Sequence, residues 1–170
     1  MDLAGALRHI QDFPKSGIDF IDITTVLKDP VLFRETIDQM AAKVQDLDFD
    51  IIVGSESRGF ILGAPLAYAT HRGFVPVRKN GKLPFETVQA EYSLEYGTDI
   101  LEMHIDAIKP GQKVLIVDDL LATGGTASAN CQMVQQLGGE VVSLLFFIEL
   151  TALGGRAKLA DYRVDSVVMI

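Results

Sequence analysis

The stretch Val114-Leu115-Ile116-Val117-Asp118-Asp119-Leu120-Leu121-Ala122-Thr123-Gly124-Gly125-Thr126 constrains this chain more than any other. Four apolar residues run into two acids, then a loop of small residues, then the start of a helix. An apolar run bounded in this way reads as a buried strand, and in open sheets of such strands ligands sit beyond the carboxyl ends. The start of a helix offers unpaired N–H groups and a partial positive charge, both suited to a phosphate. Gly124 and Gly125 let the backbone come close to an anion, and Thr123 and Thr126 add hydroxyl donors. Asp118 and Asp119 repel phosphate when ionised, but as paired acceptors they suit the two vicinal hydroxyls of a ribose. The string therefore reads as a sugar-phosphate site. An isolated Asp-Asp or Gly-Gly would mean no more than a sharp turn with an acidic cap. The segment lacks both G-x-x-x-x-G-K-[ST] and G-x-G-x-x-G, so it is neither a Walker loop nor a dinucleotide fingerprint.

Other segments place this one in a sheet. Leu3, Leu7 and Ile10 suggest a short helix over 2–11, and Asp29-Pro30 followed by Phe33, Ile37, Met40, Ala41 and Val44 predicts an amphipathic helix over 30–45. Ile51-Ile52-Val53 and Phe74-Val75-Pro76-Val77 read as strands around a helix over 59–70. Residues 79–91 show no clear period and read as a mobile loop. Leu101, Met103 and Ile105 alternate with Glu102, His104 and Asp106, as in a half-exposed antiparallel strand. A helix over 126–137 ends at Gly138-Gly139, a strand covers 141–148, a last helix starts near Thr151 and a last strand covers 164–169. Strands alternating with helices imply an α/β fold, a mostly parallel twisted sheet flanked by helices. Ser55-Glu56-Ser57-Arg58-Gly59 repeats the strand, polar loop and helix start of the first motif. Arg78, Lys79 and Lys82 form a small basic cluster.

The segment from Asp118 to Thr126 closely resembles the phosphoribosyl pyrophosphate (PRPP) signature of type I phosphoribosyltransferases. Further stretches resemble the adenine-using members of that family: Phe13 to Phe20 with Asp22-Ile23-Thr24, Val26 to Pro30, Ser57 to Phe60, Arg78 to Pro84, Tyr92 to Gly97, and Glu149-Leu150-Thr151 with Leu153-Gly154-Gly155-Arg156. The resemblance covers nearly the whole chain and implies the type I fold over residues 1–170 as a single domain. It also implies a small N-terminal hood at about 1–30 and a mobile catalytic loop at about 79–97. PRPP would be held by Asp118, Asp119, Ala122, Thr123, Gly124, Gly125 and Thr126, with Glu56, Ser57, Arg58, Arg78, Lys79 and Lys82 at its pyrophosphate end. The family often has a non-proline cis peptide in the first loop, here Glu56–Ser57. Adenine would meet Asp19, Phe20, Ile21 and Leu121. Many relatives have Arg where Ile21 stands, and Ala122 replaces an acid that 6-oxopurine enzymes use near the base. Glu95 resembles the family's catalytic glutamate, with Arg58 beside the reacting groups and Tyr96 helping to close the loop. Mg²⁺ would ride in with PRPP and take no direct protein ligand, and relatives are commonly homodimers.

Composition excludes several classes. A net charge of −8 argues against nucleic-acid binding through a broad basic surface. No apolar stretch has the length of a membrane span, and the first residues lack the pattern of a signal peptide. One cysteine, Cys131, permits no internal disulfide and fits a reducing cytoplasm. A 6-oxopurine transferase and a PRPP-sensing regulator are the competing readings. The regulator needs a basic face or an added module, for which an acidic chain of 170 residues leaves little room.

Overall fold

A computed structural model describes every residue except Glu95 and Tyr96, together with the side chain of Leu94. It shows a seven-stranded sheet in the order β5-β6-β4-β3-β7-β8-β9 and a two-stranded hairpin, β1 (Arg8–Gln11) with β2 (Asp19–Asp22). β4 (Gly73–Lys79), β3 (Ile51–Ser55), β7 (Lys113–Leu121), β8 (Glu140–Glu149) and β9 (Val164–Met169) run parallel. β5 (Thr87–Leu94) and β6 (Gly97–His104) add an antiparallel hairpin on the β4 edge.

Both faces of the central strands are buried, which explains their unbroken apolar runs. In β7, Leu115 and Val117 face one core and Val114 and Ile116 the other. In β8, Leu145 and Phe147 are divided in the same way from Leu144 and Phe146. The first core is covered by α1 (Thr24–Leu27), α2 (Pro30–Lys43), α3 (Arg58–Ala69) and the N-terminal hairpin, through Leu3, Ile21, Ile23, Met40, Leu62 and Leu66. The second is covered by α4 (Gly125–Gln136) and the β5–β6 hairpin, through Met133, Val134, Ala90 and Leu101. Each such side chain, taken fully out of water, contributes about 1.5–3 kcal/mol.

The strand order fixes where a ligand can bind. From β3 the chain crosses by α3 to β4, on one side; from β7 it crosses by α4 to β8, on the other. β3 and β7 are paired neighbours, so the loops leaving their carboxyl ends diverge from one crevice. These are the two loops that the sequence marks as anion sites.

Three expectations need correction. Residues 2–11 are not a helix: a single 3₁₀ turn at Ala4–Ala6 leads into β1. Leu3 and Leu7 are buried as a helix would require, but pairing of Arg8 to Gln11 with Asp22 to Asp19 takes the backbone hydrogen bonds. The 79–91 segment is irregular only as far as Glu86, because Thr87–Leu94 pairs along its whole length with β6. The segment after Thr151 forms two 3₁₀ turns, Thr151–Leu153 and Gly155–Leu159, divided by Gly154 in the left-handed region at φ 63°. The rest agrees within a few residues. Asp29 caps α2, its carboxylate accepting from the Val31 and Leu32 N–H groups at 2.9 and 3.0 Å, with Pro30 at the first helical position. Replacing Asp29 with Ala leaves those donors unpaired, and denaturant titration should show a loss of about 1 kcal/mol in unfolding free energy.

Candidate active site

β7 carries Asp118 and Asp119 within its last four residues, so strand geometry sets their directions. Asp118 and Leu120 keep some exposure, whereas Asp119 and Leu121 are 6% and 1% exposed; Leu120 packs against the first core and Leu121 lies in the second. This bears on the base site. Leu120, half-buried, and Leu121, which is expected to touch adenine and is 1% exposed, both line the small depression formed with the loop that follows.

The turn after β7 takes three residues. Gly124 stands at φ 86°, a left-handed conformation that glycine adopts without strain, and α4 begins at Gly125. A cap of this kind has no side chain to satisfy the helix, so the first N–H groups of α4 remain for a ligand. Ala122, Thr123, Gly124, Gly125 and Thr126 line a depression of about 80 Å³ together with Asp118, a size that suits a phosphate group.

The second loop lies alongside. β3 ends at Ser55, the Glu56–Ser57 peptide is cis as the resemblance implies, and α3 starts at Arg58. The Ser57 hydroxyl makes no capping bond, so this helix start too has donors to offer. Ser55 and Asn130, both buried, join the two loop systems: the Asn130 amide on α4 donates to the Ser55 hydroxyl at 2.7 Å. Glu56 itself serves the basic cluster. Its Oε1 accepts from the Lys79 N–H at 2.8 Å and from Arg78 Nε at 3.3 Å. The Lys79 hydrogen bond, followed by the Arg78 charge, holds its carboxyl below the usual range despite burial. Lys79 and Lys82 are exposed beside this pair.

Arg58 ties the site together. Its Nε stands 2.9 Å from Asp119 Oδ2, and its guanidinium lies 5.6 Å from the ring centre of Phe20 in the hood. One side chain at the start of α3 therefore reaches the acid pair and the hood at once. Burial pushes the Asp118 carboxyl well above its usual value, and the neighbouring Asp119 adds to this. Burial also raises Asp119, while Arg58 pulls it back. The pair is short of positive charge and hydrogen-bond donors, the condition in which hydroxyl groups bind well.

The hood completes a cleft of about 880 Å³ lined by Gly17, Ile18, Asp19, Ile21, Ser93, Thr123 and Leu150 among others. Arg8 pairs with Asp22 across the hairpin, and Asp22 also accepts from the Thr24 N–H at 2.8 Å; that bond and Arg8 lower its carboxyl to about 2. The Asp19 carboxylate is exposed and meets His9 Nδ1 at 2.7 Å, whereas the Ile21 side chain is 5% exposed within the core. From the opposite side, β5 lies against the start of α4, and a Cβ at Gly125 would stand 3.8 Å from the Ser93 carbonyl oxygen. Glu95 and Tyr96, expected to be the catalytic and closing residues, lie outside the described residues. Cys131 is buried in α4 and its thiol is pushed up to about 12, so it stays protonated and inert.

The comparisons agree with this geometry. Residues 23–169 match the phosphoribosyl transferase domain family. The chain is 64% identical over 169 residues to the adenine phosphoribosyltransferase of Acetivibrio thermocellus, covering 99% of each. It superimposes on the crystal structure of adenine phosphoribosyltransferase from Thermoanaerobacter pseudethanolicus with a TM-score of 0.98 at 53% identity, covering 99% of this chain and 98% of that one. The Saccharomyces cerevisiae enzyme, solved with adenine and an imino-altritol bisphosphate, gives a TM-score of 0.94 at 42% identity, covering 98% and 96%. This chain belongs to the phosphoribosyl transferase domain family, in its adenine phosphoribosyltransferase branch.

Proposed function

We propose that the chain works in purine salvage, transferring the 5-phosphoribosyl group of PRPP to adenine and releasing AMP and pyrophosphate. The observation that carries this is the meeting of an acid pair, two helix starts and a basic segment at one switch point beneath the hood. The relatives' names supply the acceptor base.

In this reading the ribose hydroxyls donate to Asp118 and Asp119, and the 5-phosphate enters the depression from Ala122 to Thr126. Pyrophosphate lies toward Glu56, Ser57, Arg58, Arg78, Lys79 and Lys82, with the Glu56 carboxylate orienting the basic segment. The bond from C1′ to pyrophosphate breaks with its electron pair leaving on the pyrophosphate. Adenine N9 bonds to C1′ from the opposite face and inverts it, and the N9 proton passes to the Glu95 carboxylate. Positioning and electrostatics do most of the work. Glu95 and Arg58 act beside the reacting carbon and base, and Tyr96 helps the 79–97 segment to exclude water. Asp19 and Ile21 meet the base edge chiefly through backbone groups with Phe20 packing nearby, which suits an Ile21 side chain already buried. A carbonyl there accepts from the 6-amino group of adenine and rejects a 6-oxo base.

Asp118 and Asp119, carboxyls short of compensating charge, are the residues that would face a Mg²⁺ bound together with PRPP, and such an ion would supply charge neutralisation to pyrophosphate. We place the enzyme in the cytoplasm as a homodimer; among the described residues no helix is long and apolar enough to cross a membrane.

The test is a spectrophotometric assay with PRPP, Mg²⁺ and each base in turn. Adenine should give AMP with kcat/KM at least about 10²-fold above hypoxanthine or guanine; turnover of another base without adenine turnover overturns the assignment. In the same assay Glu95→Ala should lower kcat by roughly 10²-fold with little change in the KM for PRPP.

Asp118 gives a pH signature. A carboxyl raised in the folded state holds its proton more tightly there than in the unfolded chain, so folding is penalised once pH rises above the unfolded value of 3.8. Asp118→Asn should therefore raise the melting temperature at neutral pH while raising the KM for PRPP by about tenfold or more. The thermal gain should vanish below pH 3.8, where the acid is protonated in both states.

A further inference from the structure

The stretch Leu153-Gly154-Gly155-Arg156 has no part in the reaction as set out above, yet it stands directly behind the phosphate loop. A Cβ on Gly155 would collide with the Ala122 carbonyl oxygen and come within 2.9 Å of Leu121 Cδ1. A Cβ on Gly124 would stand 2.8 Å from the Gly155 carbonyl oxygen. The two backbones touch with no side chain between them, so a displacement of one turn is transmitted to the other. The same segment is stitched to the end of β7 where it begins, the Leu150 N–H donating to the Leu121 carbonyl at 2.9 Å.

Arg156 fixes this turn. Its Nε and Nη2 donate to the two oxygens of Glu149 at 2.9 and 2.6 Å, a fork that sets orientation as well as distance. Its Nη1 donates to the Val164 carbonyl on β9 at 2.7 Å. Glu149, at the end of β8, is 4% exposed and accepts a third bond from the Ser166 hydroxyl at 2.7 Å. The guanidinium is thus locked to β8 and β9, and Gly155, just before it, is pressed onto Ala122 and Gly124.

We propose that Arg156 is a positioning residue which, with Glu149, sets the Gly154–Gly155 turn as the rear wall of the phosphate cradle and so fixes the geometry in which the 5-phosphate is bound. This rests on the reading of Ala122 to Thr126 as a phosphate site. A brace that served stability alone would affect every ligand alike. A rear wall acts on the phosphomonoester end and leaves the pyrophosphate end, built on the other loop, untouched.

The experiment is calorimetric titration of ribose 5-phosphate and, separately, of pyrophosphate into the full chain, well below the melting temperature. Arg156→Lys keeps the charge and loses the fork. It should weaken ribose 5-phosphate by about tenfold and leave pyrophosphate within about twofold. Should that variant not fold, Ser166→Ala, which loosens Glu149 while retaining the fork, should weaken ribose 5-phosphate by about two- to threefold with the same selectivity. Equal weakening of both ligands, or an unchanged affinity for ribose 5-phosphate in a folded variant, overturns the proposal. A wild-type chain that binds pyrophosphate but not ribose 5-phosphate contradicts the underlying phosphate-site reading instead, and the proposal falls with it.

Discussion

At the carboxyl end of β7 the chain passes from a largely buried strand into a helix within three residues, and it keeps two acids at the same edge. Much of the site follows from this. A short turn needs a left-handed residue, which Gly124 supplies, and a helix that starts so abruptly keeps its first donors unpaired. Two adjacent carboxylates taken largely out of water disfavour their own charge. They persist because Arg58 compensates part of it. A sugar phosphate meets both demands at once, with hydroxyls for the acids and an oxyanion for the amides.

The surrounding elements bring complementary groups to that edge. Pairing of β3 with β7 puts a second polar loop alongside, and Asn130 on α4 reaches Ser55 to hold the two in register. Glu56 turns its charge toward Arg78 and Lys79 and gathers the positive end of the site, although the chain as a whole carries −8. Local arrangement outweighs the mean field here. The hood reaches the same place through Phe20, which lies against Arg58. One guanidinium thereby meets both the hood and the acid pair.

Much of this could be read from the residues because several signals pointed the same way. Val114 to Val117 is uniformly apolar because both faces of β7 are covered, and Asp29-Pro30 marks the start of α2 in a way few other dipeptides can. The errors arose where tertiary pairing decided the outcome. Leu3 and Leu7 are buried at helical spacing, yet the backbone after them zips onto β2. Val88, Ala90 and Tyr92 do alternate with polar residues, but the Gly and Pro just before them made the whole stretch look irregular. The contact of Gly155 with Ala122 joins residues more than thirty positions apart, and no local pattern announces it.

The acid pair at the end of β7 is the centre of this account, and titration of PRPP with Mg²⁺ into the purified chain tests it most directly. The account predicts one saturable site per chain, weakened by at least about tenfold when Asp118→Asn and Asp119→Asn are combined. No saturable heat with the unaltered chain, or an affinity that survives the double substitution, would contradict it.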